Sequence, residues 1–127
     1  MRILIAEDDF ATRKFLMNLL KEYGQCDLTV DGLETVEAFM MGHKENKPYD
    51  LVCLDIMMPK VDGLEALRAI REIEKDRKVE KGVKVIIVSA LDQKEIVTDG
   101  FSHGSVAYAV KPLNTEKFLS VVEKLLG

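Results

Sequence analysis

Four short apolar runs punctuate the chain without helical spacing, at residues 3–6, 51–54, 83–88 and 106–110. Such runs suit strands buried on both faces, as in a parallel sheet covered above and below by helices. Residues 26–30 form a fifth run, more polar and suited to a sheet edge. Helical periodicity fills the intervals. Residues 10–23 place Phe15, Leu16, Leu19, Leu20 and Tyr23 on one stripe, with Gly24 as the expected stop. Asp31-Gly32-Leu33-Glu34 has the spacing of a helix start, and Leu33, Val36 and Met40 are the predicted inner positions. Residues 42–48 read as a polar connector. Asp62-Gly63-Leu64-Glu65 repeats the start signal as shared cap chemistry, leading into Leu64, Leu67, Ile70 and Ile73. Residues 74–82 then read as charged and solvated. A fourth helix is expected from Asp92, carrying Ile96 and Val97, weakened by Thr98, Asp99 and Gly100, and closed by Gly104. Asn114 is the expected cap of a last helix with Phe118, Val121, Val122 and Leu125 inward. Strands alternating with helices five times predict one doubly wound α/β domain, residues 1–127, with a parallel sheet and right-handed crossovers.

Composition fits that picture and narrows the partners. The 127 residues, 47% hydrophobic and 31% charged, are enough for one core without metal or disulfide staples. A net charge of −4 and a pI near 5.2 argue against non-specific nucleic-acid binding, which needs a basic face. No apolar run approaches the ~18 residues of a membrane span, and residues 3–6 are too short for a secretory signal core. Cys26 and Cys53 lack metal or redox spacing and are expected to be reduced, small hydrophobes. A cytoplasmic location is expected.

The chemistry lies where the strands stop. Residues 51–54 end abruptly on Asp55, and Pro59 forbids a continuing strand ladder. The other runs end on Glu7 and Asp8, on Ser89, and on Lys111. In a parallel sheet these ends share one edge, where open α/β sheets place their ligands. Each group alone has a duller role: Glu7 and Asp8 as helix caps, Ser89 as a turn former, Lys111 as a solvated lysine. Together they suit phosphoryl chemistry. Clustered carboxylates repel unless a hard cation joins them, and Mg2+ takes one or two carboxylates plus waters and a phosphoryl oxygen. A hydroxyl and an ammonium would hold the remaining oxygens, leaving Asp55 as the nucleophile.

These residues, with Met58-Pro59, Asp62-Gly63, Ser89-Ala90 and Tyr108 before Lys111-Pro112, resemble the receiver domains of two-component response regulators over essentially the whole chain. The resemblance implies a flavodoxin-like (βα)5 fold with strand order 2-1-3-4-5. It implies Asp55 as phosphoacceptor, Asp8 as a direct Mg2+ ligand and Glu7 as its water-mediated partner. Met57 would offer its backbone carbonyl to the metal. Ser89, Ala90 and Lys111 would contact the phosphoryl group, and Ser89 and Tyr108 would form a switch. Lys111-Pro112 is expected to be cis. Met57 and Leu91 would flank the water that attacks the acyl phosphate. The implied partners are a sensor histidine kinase or histidine phosphotransfer protein, and a downstream protein meeting the face of the fourth helix, fifth strand and fifth helix.

Several residues depart from the family pattern. Ser89 stands for the commoner threonine, Gly100 and Ser105 for alanines, and Asp9 makes the acidic set a triple and a possible understudy ligand. No output domain follows residues 125–127, so the leading expectation is a single-domain regulator acting by protein contact, not an enzyme. The alternatives are a receiver excised from a larger regulator or hybrid kinase, a small phosphatase using an aspartyl phosphate, and a phosphorylation-independent scaffold. Phosphatases of that kind usually carry a second acid two residues past the nucleophile, where this chain has Met57.

Overall fold

The computed structural model describes residues 1–90 and 106–127. Five parallel strands are present: β1 (Arg2–Ala6), β2 (Gln25–Thr29), β3 (Leu51–Asp55), β4 (Lys84–Ser89) and β5 (Val106–Val110). Their order is β2-β1-β3-β4-β5, the doubly wound arrangement expected. Helices α1 (Phe10–Leu20), α2 (Gly32–Lys44) and α3 (Gly63–Asp76), and a C-terminal helix (Thr115–Leu126), complete the described elements. The helix expected from Asp92, with Leu91, Gly100, Gly104 and Ser105, lies outside the described residues.

Alternation along the buried strands sorts the core into two layers. Ile3, Ile5, Leu51, Cys53, Ile86, Val88 and Ala109 pack with Leu16 and Leu20 of α1 and with Phe118 and Val122 of the C-terminal helix. Leu4, Ala6, Val52, Leu54, Val85 and Ile87 pack with Phe39 of α2 and with Ala66, Leu67, Ile70 and Ile73 of α3. Both faces of the inner strands are dry, so β1 and β3 read as unbroken apolar runs. Burial pushes the Cys53 thiol far above its ordinary value, which keeps it an inert core residue.

The cap assignments hold at three helices. Asp31 accepts from the Glu34 N–H, Asp62 from Glu65 and Asn114 from Lys117. Five details differ from the sequence reading. Helix α2 runs on to Lys44, into the 42–48 stretch read as a connector, with Gly42 buried. Helix α1 ends at Leu20, and Gly24 lies beyond it with the Met1 carbonyl packed against its Cα, where a Cβ would sit 2.2 Å from that oxygen. Gly24 serves close approach, not helix termination. In α2 the buried positions are Thr35 and Phe39, while Leu33 is 45% exposed. The second strand stops at Thr29, leaving Val30 exposed. Helix α3 also continues through Glu74, which is buried rather than solvated. Its carboxylate accepts from Arg71 at 2.7 Å and from the Val83 N–H, tying the helix end to the approach of β4.

Candidate phosphoryl and metal site

The carboxyl edge of the sheet gathers the strand-end residues. Glu7 follows β1 and is fully buried, its N–H donated to the Thr29 carbonyl at 3.0 Å. Asp55 ends β3, nearly as buried, and its Oδ1 accepts the Met57 N–H at 3.1 Å. Asp8 beside them is exposed. One carboxylate oxygen from each of Glu7, Asp8 and Asp55 lies within 4.8 Å of the others. Lys111, just past β5, reaches in from the opposite side. Its Nζ lies 3.4 Å from Glu7 Oε1 and 3.3 Å from Asp55 Oδ2. The Lys111 N–H is donated to the Ser89 carbonyl at 2.8 Å, which fixes the start of that reach. Lys111-Pro112 is cis, as expected.

Asp9 plays a different part. It is the N-cap of α1, its Oδ2 accepting from the backbone N–H and hydroxyl of Thr12. Those two bonds hold its carboxyl below the usual range. The possible understudy ligand is therefore committed to a helix start, and the metal-competent acids are Glu7 and Asp8 with Asp55.

Two carboxylates and one ammonium leave a charge conflict. Burial, then the nearby Asp55 carboxylate, push Glu7 up to about 8, against the lowering effect of Lys111. Burial alone would lower the Lys111 ammonium, but the charges of Asp55 and Glu7 outweigh it and raise its pKa. Two buried oxygens, Glu7 Oε2 and Ser89 Oγ, have no hydrogen-bond partner among the described residues. Unpartnered buried oxygens are costly, so the pocket is built to receive something that supplies partners. A hard divalent cation fits this oxygen set, and Glu7, Asp8 and Asp55 are the residues that could hold it.

A pH dependence follows. The folded chain retains a proton on Glu7 that an unfolded chain, at 4.5, has already lost. That contribution to stability is full below about pH 4.5 and is lost as pH rises through about 8. A divalent cation favours the ionised form and displaces the proton. Melting temperatures across that window should fall less steeply with Mg2+ present, and calorimetry in buffers of differing ionisation enthalpy should show proton release on Mg2+ binding near neutrality. Identical slopes with and without Mg2+ would contradict it.

The remaining predicted residues are placed as follows. Ser89 is buried at the end of β4, with Ala90 directly after it. Tyr108 is half-buried in β5, opposite Ile87, and packs against the core layer shared with α2 and α3. The Met57 side chain is 63% exposed. Sequence reasoning missed Arg13, whose guanidinium donates to the Glu7 carbonyl at 3.3 Å.

A doubly wound sheet with acids, a hydroxyl and a lysine converging on its carboxyl edge defines a flavodoxin-like, metal-competent α/β domain. The family model described as the response regulator receiver domain matches residues 3–123, and the chain belongs to that family. It is 36% identical over 128 residues to the chemotaxis protein CheY of Treponema pallidum, covering 98% of this chain and 82% of the relative. It is likewise 36% identical over 129 residues to CheY of Listeria monocytogenes, covering 98% and 97%. Among solved structures, the CheX-CheY-BeF3-Mg+2 complex from Borrelia burgdorferi matches with a TM-score of 0.79 and 30% identity, covering 100% of this chain and 90% of that one.

Proposed function

We propose that residues 1–127 act as one receiver unit that takes a phosphoryl group onto Asp55 and signals through protein contact. The observation that carries this is Lys111 Nζ within 3.4 Å of Glu7 Oε1 and 3.3 Å of Asp55 Oδ2, at the same sheet edge as Ser89, whose hydroxyl is buried without a partner among the described residues. An Asp55 carboxylate oxygen attacks phosphorus, the P–N bond of a phosphohistidine breaks, and the imidazole leaves with the bonding pair. The donor is a sensor histidine kinase or a histidine phosphotransfer protein. Lys111 and Ser89 hold the equatorial oxygens of the transferring group, with the backbone at Ala90 beside them. Asp8, Asp55, Glu7 and the Met57 carbonyl would hold Mg2+, which would supply charge neutralisation when bound. The magnesium of the Borrelia CheX-CheY complex supports that choice of ion.

Ser89 moving toward the phosphoryl group would free space for Tyr108, linking the site to the face beside β5 that meets a downstream protein. The reading places the chain in the cytoplasm; among the described residues no helix is long and apolar enough to cross a membrane. Intact-mass measurement after incubation with a small phosphodonor tests the central claim. One phosphoryl addition that requires Mg2+ is expected, and none would overturn it.

The exposed Met57 side chain follows the nucleophile by two residues and cannot orient a water by hydrogen bonding. Met57→Asn should shorten the acyl phosphate lifetime about threefold or more, a loss of roughly 0.7 kcal/mol in barrier. Decay followed by mass spectrometry checks this, and an unchanged or longer lifetime would show that other groups govern the water.

A further inference from the structure

The acid pocket is braced by a buried polar network at the start of α2. Thr35 is fully buried, and Thr29 and Asp31 nearly so, although they adjoin an apolar core layer. The Thr29 and Thr35 hydroxyls lie 2.7 Å apart, and the Thr35 hydroxyl donates to the Asp31 carbonyl at 2.7 Å. On one side this network reaches the metal acids, because the Thr29 carbonyl takes the Glu7 N–H. On the other side it reaches the segment after Asp55. Asp31 Oδ2 pairs with Lys60 Nζ at 3.6 Å, and the Gly32 N–H points to the Pro59 carbonyl at 3.4 Å. Gly32 also lies flush against the Val61 carbonyl, where a Cβ would sit 1.7 Å from the oxygen. Lys60 itself adopts φ 67°, a left-handed conformation that costs a lysine energy unless its surroundings hold it.

We infer that Thr29 and Thr35 are positioning residues for the divalent cation, fixing the spacing between Glu7 and the Asp55–Met57 segment through α2. The inference rests on the metal site proposed above. A carboxylate pair binds a small cation well only when its oxygens are held at one separation, since Mg2+ demands near-ideal geometry. The sheet fixes Glu7 and Asp55 from below. The hydroxyl pair acts from the side, through Asp31 and Gly32, on residues 59–61, which lie beyond the Ile56 N–H bond to Val88 of β4. Two threonines facing each other under a helix start hold direction as well as distance, because each hydroxyl bond is directional.

The test is Mg2+ affinity by calorimetry alongside urea midpoints and phosphorylation by a small donor. Thr35→Val keeps the side-chain shape and removes both hydroxyl bonds. The expected result is Mg2+ affinity lowered about 10-fold, at the low end of what outer-sphere supports contribute. Thr29→Val should do the same, and Thr35→Ser should restore near-normal affinity. The decisive variant is Thr29→Val with Thr35→Val. Removing both hydroxyls eliminates the Thr29 hydroxyl that Thr35→Val alone leaves unpaired, so stability should recover relative to Thr35→Val, toward that of the unaltered protein. Affinity should nevertheless stay low. Unchanged affinity in the single variants, or affinity that recovers in step with stability in the double one, would overturn the inference. Should the unaltered protein bind no Mg2+ and gain no phosphoryl group, the proposed function itself would fail instead.

Discussion

Asp55→Asn is expected to yield a folded chain that gains no phosphoryl group from a donor under conditions that fully modify the unaltered protein. The amide keeps the carboxylate's shape but carries no anionic oxygen to attack phosphorus. The rate at this position should drop by at least about 10³-fold, the scale on which enzymes lose activity with their nucleophile. The fold should survive, because the change removes one of two close buried carboxylates. With the Asp55 charge gone, burial of Glu7 is opposed by Lys111 alone, so the Glu7 carboxyl should titrate closer to its ordinary range. Intact mass with peptide mapping reads the outcome. Addition at the unaltered rate, whether at residue 55 or on Asp8, would remove Asp55 from its assigned role.

The second large effect falls on stability rather than chemistry. Gly32→Ala replaces a poor helix former with the best one, which alone would favour α2 by about 1 kcal/mol. Packing reverses the sign. The new Cβ would stand 1.7 Å from the Val61 oxygen and 2.5 Å from its carbon, and backbone atoms cannot swing aside as a flexible side chain can. Overpacking of this kind costs about 1–3 kcal/mol and occasionally more. Because the clash is with backbone, the cost falls at the upper end, about 3 kcal/mol, and a net loss of about 2 kcal/mol is expected, a large share of the roughly 5–15 kcal/mol that holds a domain together. Urea denaturation measures it. A variant as stable as the parent would mean that α2 and the loop after β3 separate easily, and would weaken the case for the threonine brace.

The fold was legible because dry faces on both sides of the sheet force unbroken apolar runs, and Asp31, Asp62 and Asn114 advertise their helices chemically. The site was legible because chain direction alone sends Glu7, Asp8, Asp55, Ser89 and Lys111 to one edge. What escaped was polarity that burial conceals. Thr35 looks like a surface residue in a helical stripe, so Leu33 was taken for the inner position; only the facing Thr29 hydroxyl makes Thr35 admissible in the core. Glu74 was assigned to solvent for the same reason, and the partner that buries it is a backbone N–H nine residues onward. Asp9 is ambiguous in sequence beside Glu7 and Asp8, and its bonds to Thr12 assign it to the helix start. Gly24 signals a helix end in sequence, whereas its actual constraint comes from Met1, which local pattern cannot reveal.

The contact between Lys111 and Glu7 joins residues 104 positions apart. Local elements such as α1 or the hairpin-free β1–β2 pair can form early, but that contact closes one of the longest loops the chain contains. During synthesis at about 5–20 residues per second, the acids are made several seconds before the lysine that answers them. A nascent chain can therefore carry a complete acidic half-site and still lack its ammonium. If the site acts as proposed, it is complete only once β5 has paired with β4 and Lys111 follows it, which places its assembly at the very end of synthesis.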